Sequence, residues 1–343
     1  MKAIVKVQEG KGNIKLLNIK EKALNLGEAK VKVAFTGICG TDLHIFHDTF
    51  KSYPPVVLGH ESSGIVESVA EDVKHIQVGD RVAILGSTEQ TCGVCSYCRT
   101  GFYMFCDTRR GMGHGVDGGF TKYVTINSQV LYKLPDHISL EEGALAEPLA
   151  CAVQAVEELT TIQASDTVLV TGPGPIGLLT LALLKLKGCR IIMTGTNADE
   201  KRTTIAQQLG VHHYINVEKQ DLTSEVKRLT LNTGVDVTID CSGSPHAIRS
   251  CFEQLKPLGK HIQVGIVGEA FAFDFDLITY KQLQVFGTLA HSFSTWEKVM
   301  NLYEQNEIQL KPIITSIQTL DNWENAFTSC ENKEEAKVLL KYE

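Results

Sequence analysis

Four cysteines stand close together in the stretch CGVCSYCRTGFYMFC. They have the spacing C-x2-C-x2-C-x7-C and are Cys92, Cys95, Cys98 and Cys106. Two-residue gaps let consecutive thiolates turn toward one centre, and the longer arm closes a tetrahedron of sulfur ligands. Because four sulfur ligands leave no open position, the pattern predicts a structural zinc site. Two disulfides, four unrelated core thiols and an iron–sulfur cluster are the alternatives. The glycines and polar turn residues around the cysteines argue against a chance cluster in a core.

A second set of potential ligands lies in FTGICGTDLHIFHD and VVLGHESSG. Cys39, His60 and Glu61 offer sulfur, nitrogen and oxygen, the mixed donors that suit a zinc ion. Each stands close to a glycine, so each could end a strand with its side chain in a cleft. Glu147, before a proline in ALAEPLACAV, could reach the same cleft. Each residue also has an ordinary explanation, as a buried thiol, a hydrogen-bonded histidine or a surface acid.

A glycine-rich loop follows the apolar run DTVLVTG. Gly172, Gly174 and Gly177 form G-x-G-x-x-G, with Pro175 and Ile176 between the last two glycines. After a buried strand and before a helix, these glycines allow a tight turn, close approach of a pyrophosphate and close packing of helix on strand. The free N–H groups of the helix N-terminus favour the anion. The loop predicts a dinucleotide site, and a glycine-rich turn without a ligand is the alternative.

The end of the next strand indicates which dinucleotide binds. An acid there would bind the adenosine ribose of NAD, but the sequence has Gly195 and Thr196. The next carboxylate, Asp199, is predicted to come later, inside a helix. With no acid to repel a 2′-phosphate, and with Lys201 and Arg202 close by, we expect a slight preference for NADP. A solvated helix face is the alternative explanation for these two cations.

The elements around these residues change character along the chain. Up to about residue 150, short alternating runs such as KVKVAFTG and VGDRVAIL predict strands, and Ser139 with Glu142 predicts a capping box. From Asp166 onward, strands alternate with helices, which predicts a parallel sheet covered on both faces. Asn197 and Glu200 are expected to cap one of these helices. The mixed last stretch, from STWEKVMNLYEQNEI, is expected to pack back on the first domain.

Length and composition set further limits. At 343 residues, two domains are expected, and 43% hydrophobic with 21% charged residues is typical of a globular protein. The net charge of −7 argues against nucleic-acid binding. The longest apolar stretch, PIGLLTLALLKLKG, carries lysines and is too short to span a bilayer. Ten cysteines without a signal-peptide pattern predict a reducing compartment, so we expect the cytoplasm.

The motifs GICGTDLH, LGHESSG, the four-cysteine loop, EPLACAV and GPGPIG resemble, in order and separation, those of the zinc-containing medium-chain dehydrogenase/reductase family. The chain is most similar to the sorbitol (L-iditol) and polyol dehydrogenase branch, over essentially its whole length. This resemblance implies an α/β protein of two domains. A GroES-like β-rich catalytic domain would contain residues 1–150 and 290–343, and a doubly wound Rossmann domain residues 151–289.

The resemblance also implies residue roles. The implied protein ligands of the catalytic zinc are Cys39, His60 and Glu61. Glu147 would lie beside the metal or alternate as a ligand. Thr41 matches the hydroxyl that binds the substrate oxygen, and His44 matches a proton-relay histidine, whereas His47 lies outside the motif and is expected in an exposed loop. The polyol branch usually has an aspartate where this chain has Gly195, and that departure puts a preference for NAD in doubt.

These roles imply one catalytic and one structural zinc per subunit and reversible oxidation of a secondary alcohol, of the polyol type, to a ketone by hydride transfer to NAD(P). L-threonine, 2,3-butanediol and sugar-alcohol phosphates are alternative substrates. The last stays open through Arg109 and Arg110, although no obvious basic cluster demands a phosphate. A metal- and nucleotide-binding protein without turnover is the other class, and it would not need Thr41 and His44. The expected partners are a small alcohol and further copies of the chain, in a homodimer or homotetramer that could pair through LQVFGTLA.

Overall fold

The computed structural model of the chain describes residues 1–342. Within this range the strands are β1 (Lys2–Lys6), β2 (Ile14–Asn18), β3 (Glu28–Gly37), β4 (Val56–Val57), β5 (Glu61–Val69), β6 (Arg81–Ile84), β7 (Tyr123–Asn127), β8 (Leu131–Lys133), β9 (Thr167–Thr171), β10 (Arg190–Gly195), β11 (His213–Asn216), β12 (Val235–Asp240), β13 (Leu255–Gln263), β14 (Gln284–Gly287), β15 (Ile314–Thr319) and β16 (Lys337–Lys341). The α-helices of the same range are α1 (Gly40–Phe46), α2 (Ser96–Arg99), α3 (Leu140–Gly143), α4 (Ala146–Val153), α5 (Pro175–Lys187), α6 (Glu200–Gln208), α7 (Leu222–Leu229), α8 (Pro245–Gln254), α9 (Asp276–Lys281), α10 (Phe293–Gln305) and α11 (Trp323–Glu331).

The chain forms two compact units. The first contains Met1–Ala150, Ala290–Asn306 and Ile314–Glu343, and the second contains Cys151–Leu289 and Glu307–Ile313. All of 290–343 is expected in the first domain, whereas the short segment Glu307–Ile313 groups with the second unit. No helix within residues 1–342 combines the length and the apolar character that crossing a membrane requires.

The first unit consists mainly of antiparallel sheet. Its larger sheet has the strand order β15-β16-β3-β5-β6-β8, with β7 paired to β3, and its smaller sheet has the order β2-β1-β4. Alternate residues of β3, among them Ala29, Val31 and Val33, are buried, as expected for a strand with one face on a core. The C-terminal strands join this sheet through the antiparallel pairing of β16 with β3. The β-rich character that the sequence predicts is confirmed.

Two short helices follow β8 rather than one continuous helix. The predicted capping box opens α3: the Glu142 N–H donates to the Ser139 hydroxyl (3.2 Å), and the Ser139 N–H donates to the Glu142 carboxylate (3.2 Å). That helix ends at Gly143, where an added Cβ would lie 2.4 Å from a methyl group of Leu134. Helix α4 then begins at Ala146. The second residue of α4 is Glu147.

The second unit contains a six-stranded sheet of the order β11-β10-β9-β12-β13-β14, and every pairing in it is parallel. Numbered from its own first strand, this order is 3-2-1-4-5-6, that of the doubly wound dinucleotide-binding fold. Helix α5 buries its whole central stretch, from Gly177 to Leu184, as its apolar sequence requires. The predicted α/β fold class is confirmed.

The predicted cap of α6 was wrong by one residue. The capping box is formed by Thr196 and Asp199 rather than by Asn197 and Glu200. The Asp199 carboxylate accepts from the Thr196 N–H (3.0 Å) and hydroxyl (2.9 Å), so a single 3₁₀ turn precedes α6. The Asp199 carboxylate reaches both Thr196 donors and therefore caps this turn in place of Glu200, which is the first residue of α6.

Candidate metal centres and cofactor site

The four cysteines of the CGVCSYCRTGFYMFC loop converge in the first unit. Their sulfur atoms lie within 4.8 Å of one another, and all ten cysteines of the chain are free thiols, which rules out the two-disulfide alternative in this structure. Helix α2 starts after Cys95 and turns the chain so that Cys98 faces Cys92, with 3.9 Å between the two sulfur atoms. Cys106 arrives from the longer arm. The arrangement can surround one ion with four sulfur ligands.

Backbone N–H groups and a hydroxyl point at these sulfur atoms. The Cys95 N–H donates to the sulfur of Cys92 (3.3 Å), and the Cys98 N–H donates to that of Cys95 (3.4 Å). The Thr108 hydroxyl and the Cys92 N–H hydrogen-bond to Cys106 and lower the pKa of that thiol to about 6. Such bonds favour the thiolate, the form that binds metal.

The second ligand set is assembled from two neighbouring strands. Cys39 follows the end of β3 and precedes α1, while His60 directly precedes β5, which begins at Glu61. The antiparallel register sets Gly37 opposite Glu61, so the two chain segments meet at this point. The ligand atoms of the three residues lie within 4.8 Å of one another. The predicted combination of sulfur, nitrogen and oxygen is therefore brought together.

His60 fits a metal ligand by two observations. Its Nδ1 is buried and has no hydrogen-bond partner, and the carboxylate of Asp42 lies 3.8 Å away. Although burial lowers the pKa of His60, the charges of Asp42 and Cys39 and the more distant Glu147 raise it well above its ordinary value. A site that strongly favours positive charge on an imidazole also favours a bound cation.

Asp42 is a residue that the sequence analysis missed. Its fully buried carboxylate accepts from the Cys39 N–H (2.9 Å) and is 3.4 Å from the Gly59 N–H. It therefore ties together the two segments that carry the ligands, and it approaches the ring of His60, as carboxylates beside metal-binding histidines do. The available signal was an acid at the third position of a helix that begins after Cys39.

Glu61 is held by a buried cation. The Lys337 ammonium donates to both carboxylate oxygens (2.8 and 2.5 Å) and to the Ile38 carbonyl (3.0 Å), and both charged side chains are 1% exposed. Gly37 leaves the room for this pair, because an added Cβ would lie 2.0 Å from the Glu61 carboxylate. Lys337, also missed, comes from β16, and its only sequence signal is a lysine at the start of an apolar strand.

Glu147 is held by a buried histidine. The Glu147 carboxylate lies 3.1 Å from Nε2 of His291, which is fully buried. The Trp296 indole N–H donates to Nδ1 of His291 (2.9 Å), so the neutral ring carries its proton on Nε2 and donates it to Glu147. Burial opposes ionisation of Glu147, but the bond from His291 and nearby positive charge leave its pKa lowered. One helical turn further along α4, Cys151 offers a thiol on the same helix face, which the sequence analysis did not include.

The residues implied for substrate and proton handling lie on α1. Thr41 is half-buried in the first turn, and His44 is exposed in the last turn, where its Nδ1 is 3.1 Å from the Thr49 hydroxyl. Within residues 1–342 no hydrogen bond joins Thr41 to His44. His47 ends the helix and its exposed ring contacts the Glu331 carboxylate. The relay from Thr41 to His44 remains a prediction.

The glycine-rich loop of the second unit joins β9 to α5. Gly172 has φ +87°, a conformation that favours glycine, and an added Cβ there would lie 2.9 Å from Ser242. A Cβ on Gly177 would lie 2.0 Å from the Gly172 carbonyl, whereas a Cβ on Gly174 would meet nothing within 4 Å. Gly174 is the N-cap of α5, followed by Pro175 and Ile176. The loop thus has its tight turn and close packing where expected, and open space where a pyrophosphate would approach.

The end of β10 carries no acid, but the predicted basic neighbour is not free. Gly195 lies beneath the Tyr214 hydroxyl, only 2.0 Å from where a Cβ would be. Arg202 is 8% exposed and its guanidinium is 3.3 Å from the carboxylate of Asp199, so it is not part of a solvated helix face. Lys201 is exposed, in keeping with the solvated alternative.

Comparison with known proteins agrees with this architecture. Residues 25–136 match the alcohol dehydrogenase GroES-like domain, and residues 175–305 match the zinc-binding dehydrogenase domain. The chain is 36% identical over 341 residues to the sorbitol dehydrogenase of Halalkalibacterium halodurans, covering 99% of each chain. It is 33% identical over 342 residues to the D-arabitol-phosphate dehydrogenase of Enterococcus avium, covering 99% of this chain and 97% of the other.

Among solved structures, a zinc-binding dehydrogenase from Sinorhizobium meliloti bound to NADP superposes with a TM-score of 0.91 and 30% identity, over 99% of this chain and 98% of the other. The full-length identity to curated dehydrogenases and the two matched domains agree with the ligand clusters and the nucleotide-type sheet. The chain therefore belongs to the zinc-containing medium-chain dehydrogenase family, in its polyol branch, and is a zinc- and nicotinamide-dependent alcohol oxidoreductase.

Proposed function

We propose that the enzyme oxidises a secondary hydroxyl group of a polyol to a ketone and reduces the ketone in the reverse direction. The observation that carries this proposal is the convergence of Cys39, His60 and Glu61 at a buried point of the first unit where the surrounding charges favour a cation. In the forward reaction the hydroxyl would lose its proton to the protein, and the carbinol carbon would lose a hydride. A bound zinc ion would supply Lewis acidity toward the substrate oxygen, and a bound nicotinamide would supply the hydride acceptor.

Residues of the first unit would supply the ligands of that ion and would hold them in position. Cys39 and His60 supply sulfur and nitrogen, with Asp42 fixing the approach of the imidazole. The carboxylates of Glu61 and Glu147 both lie beside this point, one paired with Lys337 and the other hydrogen-bonded to His291. Because Lys337 occupies both oxygens of Glu61, we favour Glu147 as the carboxylate with capacity to approach the ion. The four-cysteine loop would hold a second, structural zinc.

Proton transfer is assigned to α1. The Thr41 hydroxyl would accept the substrate proton while passing its own outward, and the exposed His44 imidazole would deliver it to water. His44→Ala should leave cofactor binding unchanged. It should slow the forward reaction at pH values where proton transfer to the solvent limits the rate. Rescue of this variant by small external bases would support the relay, and an unchanged pH–rate profile would contradict it.

We propose a slight preference for NADP. It is supported by the lack of a carboxylate at Gly195 and Thr196 and by the engagement of Asp199 with its own turn and with Arg202. The ion pair of Arg202 weakens the case, because that guanidinium is already neutralised. Comparison of kcat/KM with NAD and with NADP tests the proposal, and a strong preference for NAD would overturn it.

Two further expectations accompany this function. The ten free thiols suit a reducing compartment, so we keep the cytoplasm as the proposed location. Strand β14 forms one edge of the six-stranded sheet, with exposed residues along it, and offers a surface for pairing in a homodimer or homotetramer. Light scattering on purified protein would give the subunit number, and a monomer at micromolar concentration would contradict the pairing.

The main test is a substrate panel for the zinc-loaded enzyme with both cofactors. It should contain D-sorbitol, D-arabitol, 2,3-butanediol and L-threonine, with the ketone product identified for each substrate turned over. We expect the polyols to give the highest kcat/KM. A clear preference for L-threonine or for 2,3-butanediol would move the function to that alternative, and no oxidation of any alcohol would contradict the proposal.

A further inference from the structure

Asp240 is a fully buried acid at the last position of β12 in the second unit. Its carboxylate accepts five hydrogen bonds, and every donor is neutral. The hydroxyl groups of Thr171 and Ser242 donate at 2.6 Å each, the Gln263 amide at 2.7 Å, and the N–H groups of Gly243 and Ser242 at 2.9 and 3.3 Å. A carboxylate can stay buried without a cation when its oxygens are bonded in this way.

These donors come from the carboxyl ends of three neighbouring strands. Thr171 ends β9 and lies opposite Asp240 in the parallel register, and Gln263 ends β13 and lies opposite Asp240 on the other side. Ser242 and Gly243 belong to the loop that follows β12. One buried side chain therefore joins the end of β9, the end of β13 and the loop between β12 and α8.

The hydrogen bonds continue from Asp240 along a buried polar chain. The Gln263 amide nitrogen also donates to the Gly265 carbonyl (2.7 Å), and the Gln263 side-chain oxygen lies 3.1 Å from Nε2 of His261. Nδ1 of His261 lies 2.9 Å from the Thr238 hydroxyl, and both of these residues are buried. A buried network whose polar groups are bonded to one another restricts the backbone around it to one arrangement.

The loops around Asp240 pack too closely for side chains at two glycines. A Cβ on Gly265 would lie 2.2 Å from the nitrogen of Gly243 and 2.9 Å from the Asp240 carboxylate. A Cβ on Gly172, the first glycine of the glycine-rich loop, would lie 2.9 Å from the Cβ of Ser242. The loop after β12 therefore packs against both the loop after β13 and the glycine-rich loop, and the Asp240 carboxylate lies where they meet.

This meeting point is where the fold binds a dinucleotide. In a sheet of the order 3-2-1-4-5-6, the cofactor lies across the carboxyl ends of the strands where the order reverses, here between β9 and β12. The glycine-rich loop and the end of β10 belong to the half that receives the pyrophosphate and the adenosine. The loops after β12 and β13 belong to the other half, which receives the nicotinamide. Because the Asp240 side chain is fully buried, it can act on the cofactor only through those loops.

We propose that Asp240 is a positioning residue for the nicotinamide half of the cofactor. Its carboxylate holds the loops after β12 and β13 in the arrangement that accepts this half. The inference goes beyond the proposed oxidation of polyols, because it concerns the cofactor and applies whichever alcohol is oxidised. No local sequence pattern marks this role, since Thr171 and Gln263 are 69 and 23 residues away from Asp240 along the chain.

The experiment compares the whole dinucleotide with its adenosine half on the full-length protein. Calorimetry gives the Kd of NADH or NADPH, whichever the wild type binds more tightly, and the Kd of the matching ADP-ribose, with a 2′-phosphate if NADPH is used. The wild type should bind the dinucleotide at least about tenfold more tightly than the ADP-ribose, because the nicotinamide half adds contacts of its own. Equal affinities would mean that the protein does not hold the nicotinamide half and would overturn the proposal.

Asp240→Asn is the main variant, with Asp236→Asn as the matched control. Asp236 lies near the opposite end of the same strand, where it accepts from the Thr167 N–H (2.8 Å) and pairs with the Lys256 ammonium. Asp240→Asn should weaken dinucleotide binding about tenfold and ADP-ribose binding by less than about twofold, because an amide presents its own N–H groups to some of the donors. Asp236→Asn should leave both affinities within about twofold. An equal loss for the two ligands in Asp240→Asn would mean a purely structural role and would overturn the proposal, as would no loss for either.

Thr171→Val gives the same test if Asp240→Asn does not fold. Thr171 is 1% exposed, so its hydroxyl serves Asp240 rather than the ligand, and valine has nearly the same shape. The variant should weaken dinucleotide binding about threefold and leave ADP-ribose binding unchanged. Equal changes for the two ligands, or none, would overturn the proposal. If no alcohol is oxidised, the proposed function fails and these binding constants still decide the role of Asp240.

Discussion

The four-cysteine loop and the mixed site of Cys39, His60 and Glu61, the two proposed metal sites, are built in opposite ways. The loop takes all its ligands from one short segment and lies at the surface, with Cys92 exposed. The mixed site joins two strands and is completed from β16. Glu61 and Asp42 are buried and Glu147 is nearly so, and each is paired: Glu61 with Lys337, Glu147 with His291, and Asp42 with backbone N–H groups.

The difference follows from the cost of burying charge. A surface cluster of thiolates is stabilised by backbone N–H groups and by the ion alone. A buried carboxylate needs a charged or hydrogen-bonding partner, or it takes up a proton. The mixed site therefore requires partners for its buried charges that come from distant parts of the sequence. A closed loop of this kind suits structure, and a supported, mixed set suits chemistry that changes charge during each turnover.

The largest expected effect is that of removing the thiol proposed as a metal ligand. Cys39→Ala should lower kcat by at least about 10⁴-fold, because removal of one of few ligands removes the Lewis acid. The variant should also lose one of two zinc ions per subunit by elemental analysis. Cys98→Ser should lose the other ion and lower the thermal midpoint, while the protein that remains folded keeps most of its kcat.

Cys189→Ala is the control for this pair, since Cys189 is a fully buried thiol of the second unit whose sulfur contacts the Leu184 carbonyl. It should keep both ions and its activity. Full activity in Cys39→Ala would refute the ligand assignment. Wild-type protein with a single ion, lost in Cys98→Ser without loss of activity, would contradict a catalytic metal at the mixed site.

Removing the buried cation should have the next largest effect. Lys337→Met leaves the Glu61 carboxylate buried without its partner, which should lower the free energy of unfolding by about 3–5 kcal/mol. Lys30→Met is the control, because its ion pair with Glu21 is partly exposed and is worth at most about 1 kcal/mol. Urea unfolding measures both. If Lys337→Met lowered the free energy of unfolding no more than Lys30→Met, Glu61 would need no charged partner. Burial of charge would then not distinguish the two regions.

The same contrast explains what the sequence could predict. The cysteine spacing, the glycine loop after β9 and the alternation of strands and helices are local signals, and the fold class that they predicted is confirmed. Asp42 was missed although it lies three residues after Cys39, because its role depends on the Gly59 N–H from the loop before β5. Lys337 and His291 follow Cys39 by more than 250 residues, and no local pattern marks them. Partners of buried charge are set by tertiary packing, which spacing does not reveal.

Substitution of glycines in the two regions should have effects of intermediate size. Gly37→Ala would force a Cβ to within 2.0 Å of the Glu61 carboxylate, so that group or the strand must shift. A displacement of this size next to the reacting centre should lower kcat/KM on the order of 10²-fold. Gly101→Ala, in the cysteine loop, meets nothing within 4 Å but has φ +83°, so it should cost about 1 kcal/mol of stability and keep its zinc. Equal activity losses in the two variants would contradict the distinction.

The smallest expected effect is a pH dependence that only the buried neighbourhood should show. Burial, with nearby positive charge, lowers the pKa of His114 to about 3, whereas in the unfolded chain it lies near 6.5. Between these values the unfolded state binds the additional proton, so stability is fully present above pH 6.5 and falls as the pH drops. At pH 5 the loss should be about 1–2 kcal/mol.

His114→Gln should remove this part of the acid dependence, so its unfolding free energy should fall less than that of the wild type between pH 6.5 and pH 5. His246→Gln, at an exposed position of α8, is the control and should follow the wild type. Zinc content at each pH must be equal in the three proteins, because metal release also destabilises at low pH. If the unfolding free energy of wild type and of His114→Gln fell in parallel with pH, His114 would be as accessible to protons as an exposed residue. The contrast in burial between the four-cysteine loop and the mixed site would then not include His114.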